Sequence, residues 1–230
     1  MLSTFFFGAA LFLLCTILGA IHASTTASAN TEATVPTIIL DAGHGGEDGG
    51  AVAVNDVEEK DINLAIALLV RDQLVSAGFP VQMIRETDTA VGDTSLPTLA
   101  ERKRSDIQYR TQVVNETENC ILVSIHQNYF EQSQYSGAQM FYSPNNTRSA
   151  ELAEAIRRSV ISQTQPENTR ENKQAESGIY LLSHVDVPAV IVECGFLSNP
   201  EEAALLSTPD YQQKIAAAVS DGITAFLTNE

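Results

Sequence analysis

The sequence predicts an α/β fold in which a twisted, mostly parallel sheet carries helices on both faces. Short apolar runs of strand length alternate along the chain with longer segments of helix length, and crossover helices cover both faces of a parallel sheet. With 230 residues, of which 44% are hydrophobic, the chain can form one core and still carry a leader. We therefore predict a single α/β domain over residues 36–230.

The first 29 residues have the composition of a leader. Residues 2–21 are almost wholly apolar and contain no Lys, Arg, Asp or Glu, a length near the lower limit for crossing a bilayer. Residues 27–29, Ala-Ser-Ala, have the small-residue form of a signal-peptide cleavage site, although no basic residue precedes the apolar run. Residues 1–29 are thus predicted to be a signal peptide or an N-terminal membrane anchor. Residues 30–35 are predicted to be a linker.

The sequence pattern in the first half of the domain predicts two strand–helix units. Residues 38–40 are an apolar run that ends at a glycine-rich segment, as a buried strand does. Residues 62–77 carry apolar residues over a stretch too long for a strand, and Gly78 supplies a helix end. Residues 80–84 are predicted to be a second strand. Residues 98–116 combine spaced apolar residues with many charges, as a partly exposed helix does.

The second half of the domain continues the same alternation. Residues 120–126 are apolar until the strand reaches Ser124 and His126. Three further apolar runs have strand length, and two longer amphipathic segments have helix length. The predicted strands are 120–126, 137–142, 178–182 and 189–192, and the predicted helices are 148–163 and 211–227.

Charge and cysteine content narrow the classes of function. The formal net charge of −16 argues against a nucleic-acid partner, because phosphate binding needs clustered Lys and Arg. It also disfavours adsorption to anionic lipid, so we expect membrane contact only through the N-terminal segment. Outside the leader the cysteines are Cys120 and Cys194, too few for a disulfide framework or a cysteine-type zinc site. We expect two buried free thiols, with one disulfide bridge as the alternative.

Polar residues follow several predicted strands at the same kind of position. His44 lies in the glycine-rich segment after the first strand, while His126 and Glu193 end two later strands. The carboxyl ends of parallel strands meet at one edge of an open sheet, where ligands bind, so we expect these side chains to converge. Glu59 is a fourth candidate because it lies at the start of the first helix. A favourable interaction with the helix dipole also explains a glutamate there, and we assign that role alone to Glu58.

Two histidines and a carboxylate are a common ligand set of catalytic zinc sites. Zinc in such a site keeps an open position for water and lowers the pKa of that water towards about 7. A second carboxylate that does not bind the metal can act as general base. His44, His126 and the two glutamates therefore supply the ligands and the base. We interpret His184 as a hydrogen-bonded polar residue with no ligand role.

Four segments carry a resemblance to a known family. They are residues 41–46 (DAGHGG), 59–65 (EKDINLA), 124–128 (SIHQN) and 188–199 (PAVIVECGFLSN). Together they resemble the signature segments of the zinc-dependent N-acetylmuramoyl-L-alanine amidases, the amidase 3 family of cell-wall hydrolases. The resemblance extends over residues 36–230 in the family's order, which makes it specific.

The resemblance implies a reaction and a set of roles. One zinc ion per chain would be held by His44, Glu59 and His126, and Glu193 would be the general base. The reaction would be hydrolysis of the amide between N-acetylmuramic acid and L-alanine of the stem peptide in peptidoglycan. Arg85 also matches a family segment, and we expect it to play a structural role by pairing with an acidic neighbour. Asn128 is expected to support the site through hydrogen bonding.

The same resemblance implies an exported, extracytoplasmic enzyme that acts on the cell wall. The compact segment between His126 and Glu193 lacks the long insertion of some division-associated members, and this layout is similar to the germination-specific amidases of the spore cortex. Whether a protein partner activates the enzyme stays open at this point. Two alternatives also stay open, a zinc carboxypeptidase acting within the stem peptide and a non-catalytic wall-binding domain.

Overall fold

The alternating apolar pattern produces six strands and six helices in the computed structural model, which describes residues 35–228. The predicted leader and all but the last residue of the predicted linker lie outside the described residues. The strands are β1 (Thr37–Ala42), β2 (Val81–Met83), β3 (Cys120–Asn128), β4 (Gln139–Tyr142), β5 (Lys173–Gln174) and β6 (Ala189–Phe196). The helices are α1 (Glu59–Ser76), α2 (Leu99–Glu116), α3 (Ser149–Gln163), α4 (Tyr180–Ser183), α5 (Pro200–Leu206) and α6 (Pro209–Thr228).

The strands form one six-stranded sheet in the order β2-β1-β3-β6-β4-β5. Strands β2, β1, β3 and β6 run parallel to one another, whereas β4 pairs antiparallel with β6 and parallel with β5. The prediction of a mostly parallel sheet is therefore confirmed. The pairing also places His126 of β3 beside Glu193 of β6, and Glu193 beside Gln139 of β4.

Helices cover both faces of the sheet, as predicted. Because successive strand residues point to opposite faces, neighbouring apolar residues of one strand enter different cores. Ile38 and Leu40 of β1 pack into the larger core, which contains buried residues of α1, α3, α5 and α6. Ile39 packs into a smaller core with Val114 of α2 and Leu182 of α4. Within residues 35–228, no helix is both long and apolar enough to cross a bilayer.

The two body cysteines are buried free thiols, which confirms the expected state. Cys120 packs in the smaller core and Cys194 in the larger one, so they lie on opposite faces of the sheet. The alternative of a disulfide bridge between them is therefore wrong.

The strand predicted at 178–182 is wrong, because this segment enters the short helix α4. Its consecutive residues Leu181 and Leu182 are both buried in the smaller core, which the two-residue alternation of a half-buried strand does not allow. Two short elements, β5 and α5, were not predicted. Helix α1 also begins at Glu59, earlier than the predicted start at residue 62, and this shift places Glu59 in the first turn of the helix.

Candidate metal and catalytic site

The glycine-rich segment after β1 brings the backbone close to the functional side chains. A Cβ atom at Gly43 would lie 2.1 Å from Nε2 of His126, so only glycine fits beside that ring. At Gly50, with φ +71°, a Cβ atom would lie 2.5 Å from Oε2 of Glu59. His44 itself adopts a left-handed backbone with φ 63°, which is strained for a residue with a side chain. The loop is thus folded tightly around the polar cluster.

Three side chains meet at the centre of this cluster. His44 Nε2 lies 3.2 Å from Glu59 Oε2, and His126 Nδ1 lies 3.0 Å from Glu59 Oε1. One ligand atom from each of the three residues falls within 4.8 Å of the others. The two imidazole rings are 5.0 Å apart and meet edge to face. The structure therefore brings together the three residues predicted as zinc ligands.

Glu59 is buried and held by neighbouring donors. Its Oε2 accepts a hydrogen bond from the backbone N–H of Ala51, and its Oε1 accepts bonds from the backbone N–H of Gln127 and from Asn63. Burial would raise the pKa of Glu59, but hydrogen bonds and charges of His126 and His44 outweigh it and hold that pKa far below its usual value. The carboxylate is therefore ionised and available to a cation.

Asp48 orients His44 from the side opposite Glu59. Nδ1 of His44 lies 2.8 Å from Oδ2 of Asp48, so the aspartate accepts a hydrogen bond from Nδ1–H and leaves Nε2 facing the cluster. Burial disfavours the protonated ring, yet Asp48 and Glu59 outweigh this effect and raise the pKa of His44 to about 9. Lys103 forms an ion pair with the same aspartate at 2.8 Å. Sequence reasoning did not assign a role to Asp48, although it lies four residues after His44.

Arg110 is the principal residue that sequence reasoning missed. This buried side chain of α2 pairs with Asp41 and with Asp106, and it also donates to the carbonyl oxygens of Ala42 (2.9 Å) and His44 (2.7 Å). It therefore fixes the end of β1 and the strained His44 backbone. The only signal in the sequence was the spacing of Asp106 and Arg110, which suits an ion pair on one helix face.

Arg85 has a structural role, but its predicted pairing with an acidic neighbour is wrong. Its guanidinium instead donates to the backbone carbonyl oxygens of Ala42 (2.8 Å), Gly43 (3.0 Å) and Lys60 (2.9 Å). These carbonyls belong to the end of β1, to the glycine-rich segment and to the start of α1. Carbonyl oxygens turned inward in a loop need donors, and a planar guanidinium supplies several at once.

Glu193 lies beside the three-residue cluster with a free carboxylate oxygen. Within the described residues, its buried Oε2 atom has no hydrogen-bond partner. Burial raises the pKa of Glu193 to about 7, an effect that His126 partly offsets. A buried carboxylate without a partner is unfavourable unless a ligand or water satisfies it, so its presence here indicates a functional use.

The structure separates the remaining candidates from the cluster. Asn128 lines a neighbouring groove, and within residues 35–228 its side chain makes no hydrogen bond, so its supporting role stays a prediction. His184 caps the end of α4, where its Nδ1 lies 2.9 Å from Tyr180 O, which confirms its interpretation as a hydrogen-bonded residue. Glu58 immediately precedes α1 and pairs with Lys60 at 3.2 Å.

The donor set fits a zinc ion. Two imidazoles and one ionised carboxylate are the donors of many catalytic zinc sites, and such sites keep one side open. The side chains of His44 and His126 are 22% and 21% exposed, whereas that of Glu59 is 4% exposed, so the cluster opens on the histidine side. An open donor set beside a carboxylate without a partner is suited to hydrolysis with water as the nucleophile.

Comparisons with known proteins agree with this chemistry. The family model described as N-acetylmuramoyl-L-alanine amidase, amidase 3, matches residues 38–225. The chain is 38% identical over 193 residues to the germination-specific N-acetylmuramoyl-L-alanine amidase of Bacillus subtilis strain 168, covering 84% of this chain and 80% of that protein. It is 26% identical over 232 residues to the amidase AmiA of Escherichia coli K12, covering 83% and 75%.

Solved structures give the same result. The CwlD amidase from Clostridioides difficile, determined in complex with the GerS lipoprotein, matches with a TM-score of 0.81 and 40% identity, covering 85% of this chain and all of that chain. A second N-acetylmuramoyl-L-alanine amidase, from Clostridium difficile 630, matches with a TM-score of 0.73 and 26% identity over 85% of this chain. With the family model matched from the first strand into the last helix, the chain belongs to the amidase 3 family of N-acetylmuramoyl-L-alanine amidases.

Proposed function

We propose that this protein is a zinc-dependent peptidoglycan hydrolase that cleaves the amide between N-acetylmuramic acid and L-alanine of the stem peptide. The observation that carries the proposal is the cluster of His44, Glu59 and His126 beside the unpartnered carboxylate of Glu193. Membership of the amidase 3 family supports the choice of bond.

His44, Glu59 and His126 would hold one zinc ion per chain. When bound, zinc supplies Lewis-acid polarisation of the scissile carbonyl and lowers the pKa of a coordinated water. Asp48 accepts a hydrogen bond from the Nδ1–H group of His44 and so turns Nε2 towards the cluster, while Asn63 and two backbone N–H groups keep Glu59 in place. Arg110 and Arg85 hold the loop that carries His44.

Glu193 is the proton carrier in this proposal. Its free Oε2 atom accepts a proton from the attacking water and then gives that proton to the departing amine of L-alanine. A carboxylate with a pKa of about 7 is suited to both steps near neutral pH, since it can gain and lose a proton there. Its position opposite His126 on the neighbouring strand fixes its distance from the cluster.

The proposal also includes the location of the enzyme and its protein partner. We propose residues 1–29 as a signal peptide or membrane anchor, residues 30–35 as a linker and residues 36–230 as the catalytic domain, which places the enzyme outside the cytoplasm. The relative from Bacillus subtilis is named germination-specific, and this supports a role in the spore cortex. The structure of the CwlD amidase with the GerS lipoprotein supports the proposal that a protein partner assists the enzyme.

Digestion of purified peptidoglycan with the zinc-loaded protein tests the bond that is cleaved. Mass spectrometry of the products should show stem peptides with a free L-alanine amino group and glycan strands with intact lactyl groups. Glu193→Gln should retain stoichiometric zinc but lose turnover. Shortened stem peptides still attached to muramic acid would indicate the carboxypeptidase alternative. An intact protein that takes up no zinc would contradict the proposed metal site and favour the non-catalytic alternative.

A further inference from the structure

A groove of about 300 Å³ extends from Asn128 at the end of β3 to Lys173 of β5, and it has no role in the chemistry described above. Gln139 of β4 pairs directly with Glu193 of β6, and the next residue on the same face of β4, Phe141, pairs with Lys173 of β5. Directly paired residues of neighbouring strands project to the same face of the sheet. Gln139, Phe141 and Lys173 therefore form a floor that leads from the proposed base to the β5 edge of the sheet.

Arg170 forms one wall of this groove and is held in a fixed position. Its guanidinium stacks 4.5 Å over the ring of Phe196 and lies 5.7 Å from the ring of Tyr135. Nε donates to the carbonyl of Ser136 (2.7 Å), and Nη1 donates to Oε1 of Gln139 (3.1 Å). A guanidinium has five N–H donors. Within the described residues, the remaining Nη1 and Nη2 hydrogens have no acceptor, so they are available to a ligand.

The groove is also cationic in a strongly acidic protein. The chain has a net charge of −16, and most of the described arginines form ion pairs with carboxylates. Neither Arg170 nor Lys173 has a carboxylate within ion-pair distance among residues 35–228. Glu202 lies near enough to interact with the charge of Arg170, but its two oxygens accept hydrogen bonds from the backbone N–H groups of Gly137 and Phe196.

Aromatic side chains pack against Arg170. Its guanidinium lies 4.5 Å from the ring centre of Phe196 and 5.7 Å from that of Tyr135, while its N–H donors lie in the plane of the group. Phe130 packs edge to face on Tyr135 with ring centres 5.2 Å apart and is 49% exposed. A planar donor edge beside a second cation is suited to a carboxylate, which a guanidinium can bind through two parallel hydrogen bonds.

We propose that this groove binds a free carboxylate of the stem peptide, with Arg170 as the bidentate donor and Lys173 as the second charge. The proposal rests on the proposed amidase function and specifies how the substrate is oriented. Glu193 is assigned to the departing amine, and its strand partner Gln139 lines the groove, so the groove is placed to receive the peptide on the leaving side of the bond. Binding a carboxylate there aligns the alanine amide with the cluster and favours peptides with that carboxylate over amidated ones.

The test compares matched substrates with matched variants. Zinc-loaded protein is assayed on three synthetic muramyl peptides, one with all carboxylates free, one with the glutamate α-carboxyl amidated and one with only the terminal carboxyl amidated. Arg170→Gln and Lys173→Gln each remove one groove cation. Lys214→Gln is the control, because Lys214 is exposed on α6, which packs on the opposite face of the sheet.

The expected result is a loss of kcat/KM that is confined to peptides with the recognised carboxylate. Because a hydrogen bond to a charged group contributes roughly 1.5–3 kcal/mol, Arg170→Gln should reduce kcat/KM on the free-carboxylate peptide by about tenfold to a hundredfold, mainly through KM. Lys173→Gln should have a smaller effect in the same direction, and Lys214→Gln none. On the peptide that lacks the recognised carboxylate, wild type and Arg170→Gln should be equally slow. The amidated peptide that shows this equality identifies which carboxylate is bound.

A binding measurement separates failure of this proposal from failure of the amidase assignment. Calorimetric titration with the released peptide, in its free and amidated forms, needs no turnover. Wild type should bind the free form more tightly than the amidated form, and Arg170→Gln should remove the difference. Equal binding of both forms by wild type would overturn the subsite even if amidase activity is found. If Arg170→Gln does not fold, Lys173→Gln alone must reduce the preference, and an unchanged preference would overturn the proposal.

Discussion

Replacing Arg110 with methionine should destabilise the domain more than any substitution of a surface arginine. The side chain is 2% exposed, and its partner Asp41 is 1% exposed. In the variant, Asp41 would retain the hydrogen bond from Ser124 but lose its ion-pair partner, and the carbonyls of Ala42 and His44 would each lose one donor. Removing one partner of a buried ion pair costs about 3–5 kcal/mol, a large part of the roughly 5–15 kcal/mol that holds a domain folded.

Urea denaturation of the metal-free domain measures this loss, and a double-mutant cycle assigns its cause. Arg110→Met should lower the free energy of unfolding by about 3–5 kcal/mol, and adding Asp41→Asn should restore part of that loss because no buried charge is left unpaired. Arg71→Met is the matched control. Arg71 pairs with Asp72 and Glu86 at the surface, and such pairs contribute about 0–1 kcal/mol.

The same variant links the ion pair to the proposed metal site. Arg110 Nη2 holds the carbonyl of His44 at 2.7 Å, so its loss should release the strained backbone at His44. Removing a residue that orients a metal ligand typically lowers metal affinity by about tenfold to a hundredfold, and titration with a zinc chelator measures this change. A loss of stability below about 1 kcal/mol, or one that Asp41→Asn does not alter, would refute the reasoning.

Three further predictions concern the site. Gly43→Ala should abolish zinc binding and activity while leaving a folded domain, because the added methyl group would displace the ring of His126; chelator titration and circular dichroism together check this, and normal zinc affinity would count against it. Glu193→Gln should stabilise the metal-free protein increasingly as the pH rises from about 4.5 to 7. Below about pH 4.5 the carboxyl is neutral in both the folded and the unfolded wild type. Between pH 4.5 and 7 it ionises in the unfolded protein but stays neutral in the folded one, so the free energy of unfolding of wild type falls by about 3 kcal/mol in total; a pH-independent difference in urea midpoint would contradict the burial of that group. Asp48→Asn should lower the pKa of His44 from about 9, because a charged acceptor is removed, and NMR titration of the metal-free protein would show no change if Asp48 were unimportant.

The sequence predicts the sheet better than its edges. Apolar runs with strand length place β1, β3 and β6 because these strands are buried on both faces. The segment around Leu181 and Leu182 also looks like a strand, since a short apolar run has no helical period and only the tertiary packing decides its conformation. Strand β5 is two exposed residues long and leaves no apolar pattern.

Helix α5 did leave a signal that was not used. Asn199 accepts hydrogen bonds from the backbone N–H groups of Glu201 and Glu202, and Pro200 occupies the first turn. An asparagine followed by proline and two acidic residues is typical of a helix start. The element was missed because it is only seven residues long, too short for a helical period, whereas the cap is specific.

Some residues of the candidate site were predictable from the sequence and others were not. His44, His126 and Glu193 were predictable because each follows or ends a strand, and parallel topology brings such positions to one edge. Arg110 was not, since its partner His44 lies 66 residues away in sequence. For Arg85 the family resemblance predicted a structural role but not the partners, such as the carbonyl of Ala42, 43 residues away. Both residues donate to backbone carbonyls, which every residue possesses, so no sequence pattern identifies those contacts.

The pairing of β3 with β6 makes catalysis depend on the fidelity of sheet assembly. Val190 and Val192 enter the larger core, whereas Glu193 projects to the other face opposite His126. A slip of β6 by one residue would turn Glu193 into the larger core and move both valines out of it. A mispaired molecule would therefore lose its proposed proton carrier and its stability together. For an enzyme that degrades a load-bearing wall, this coupling means that a molecule with a misregistered sheet is also an inactive one.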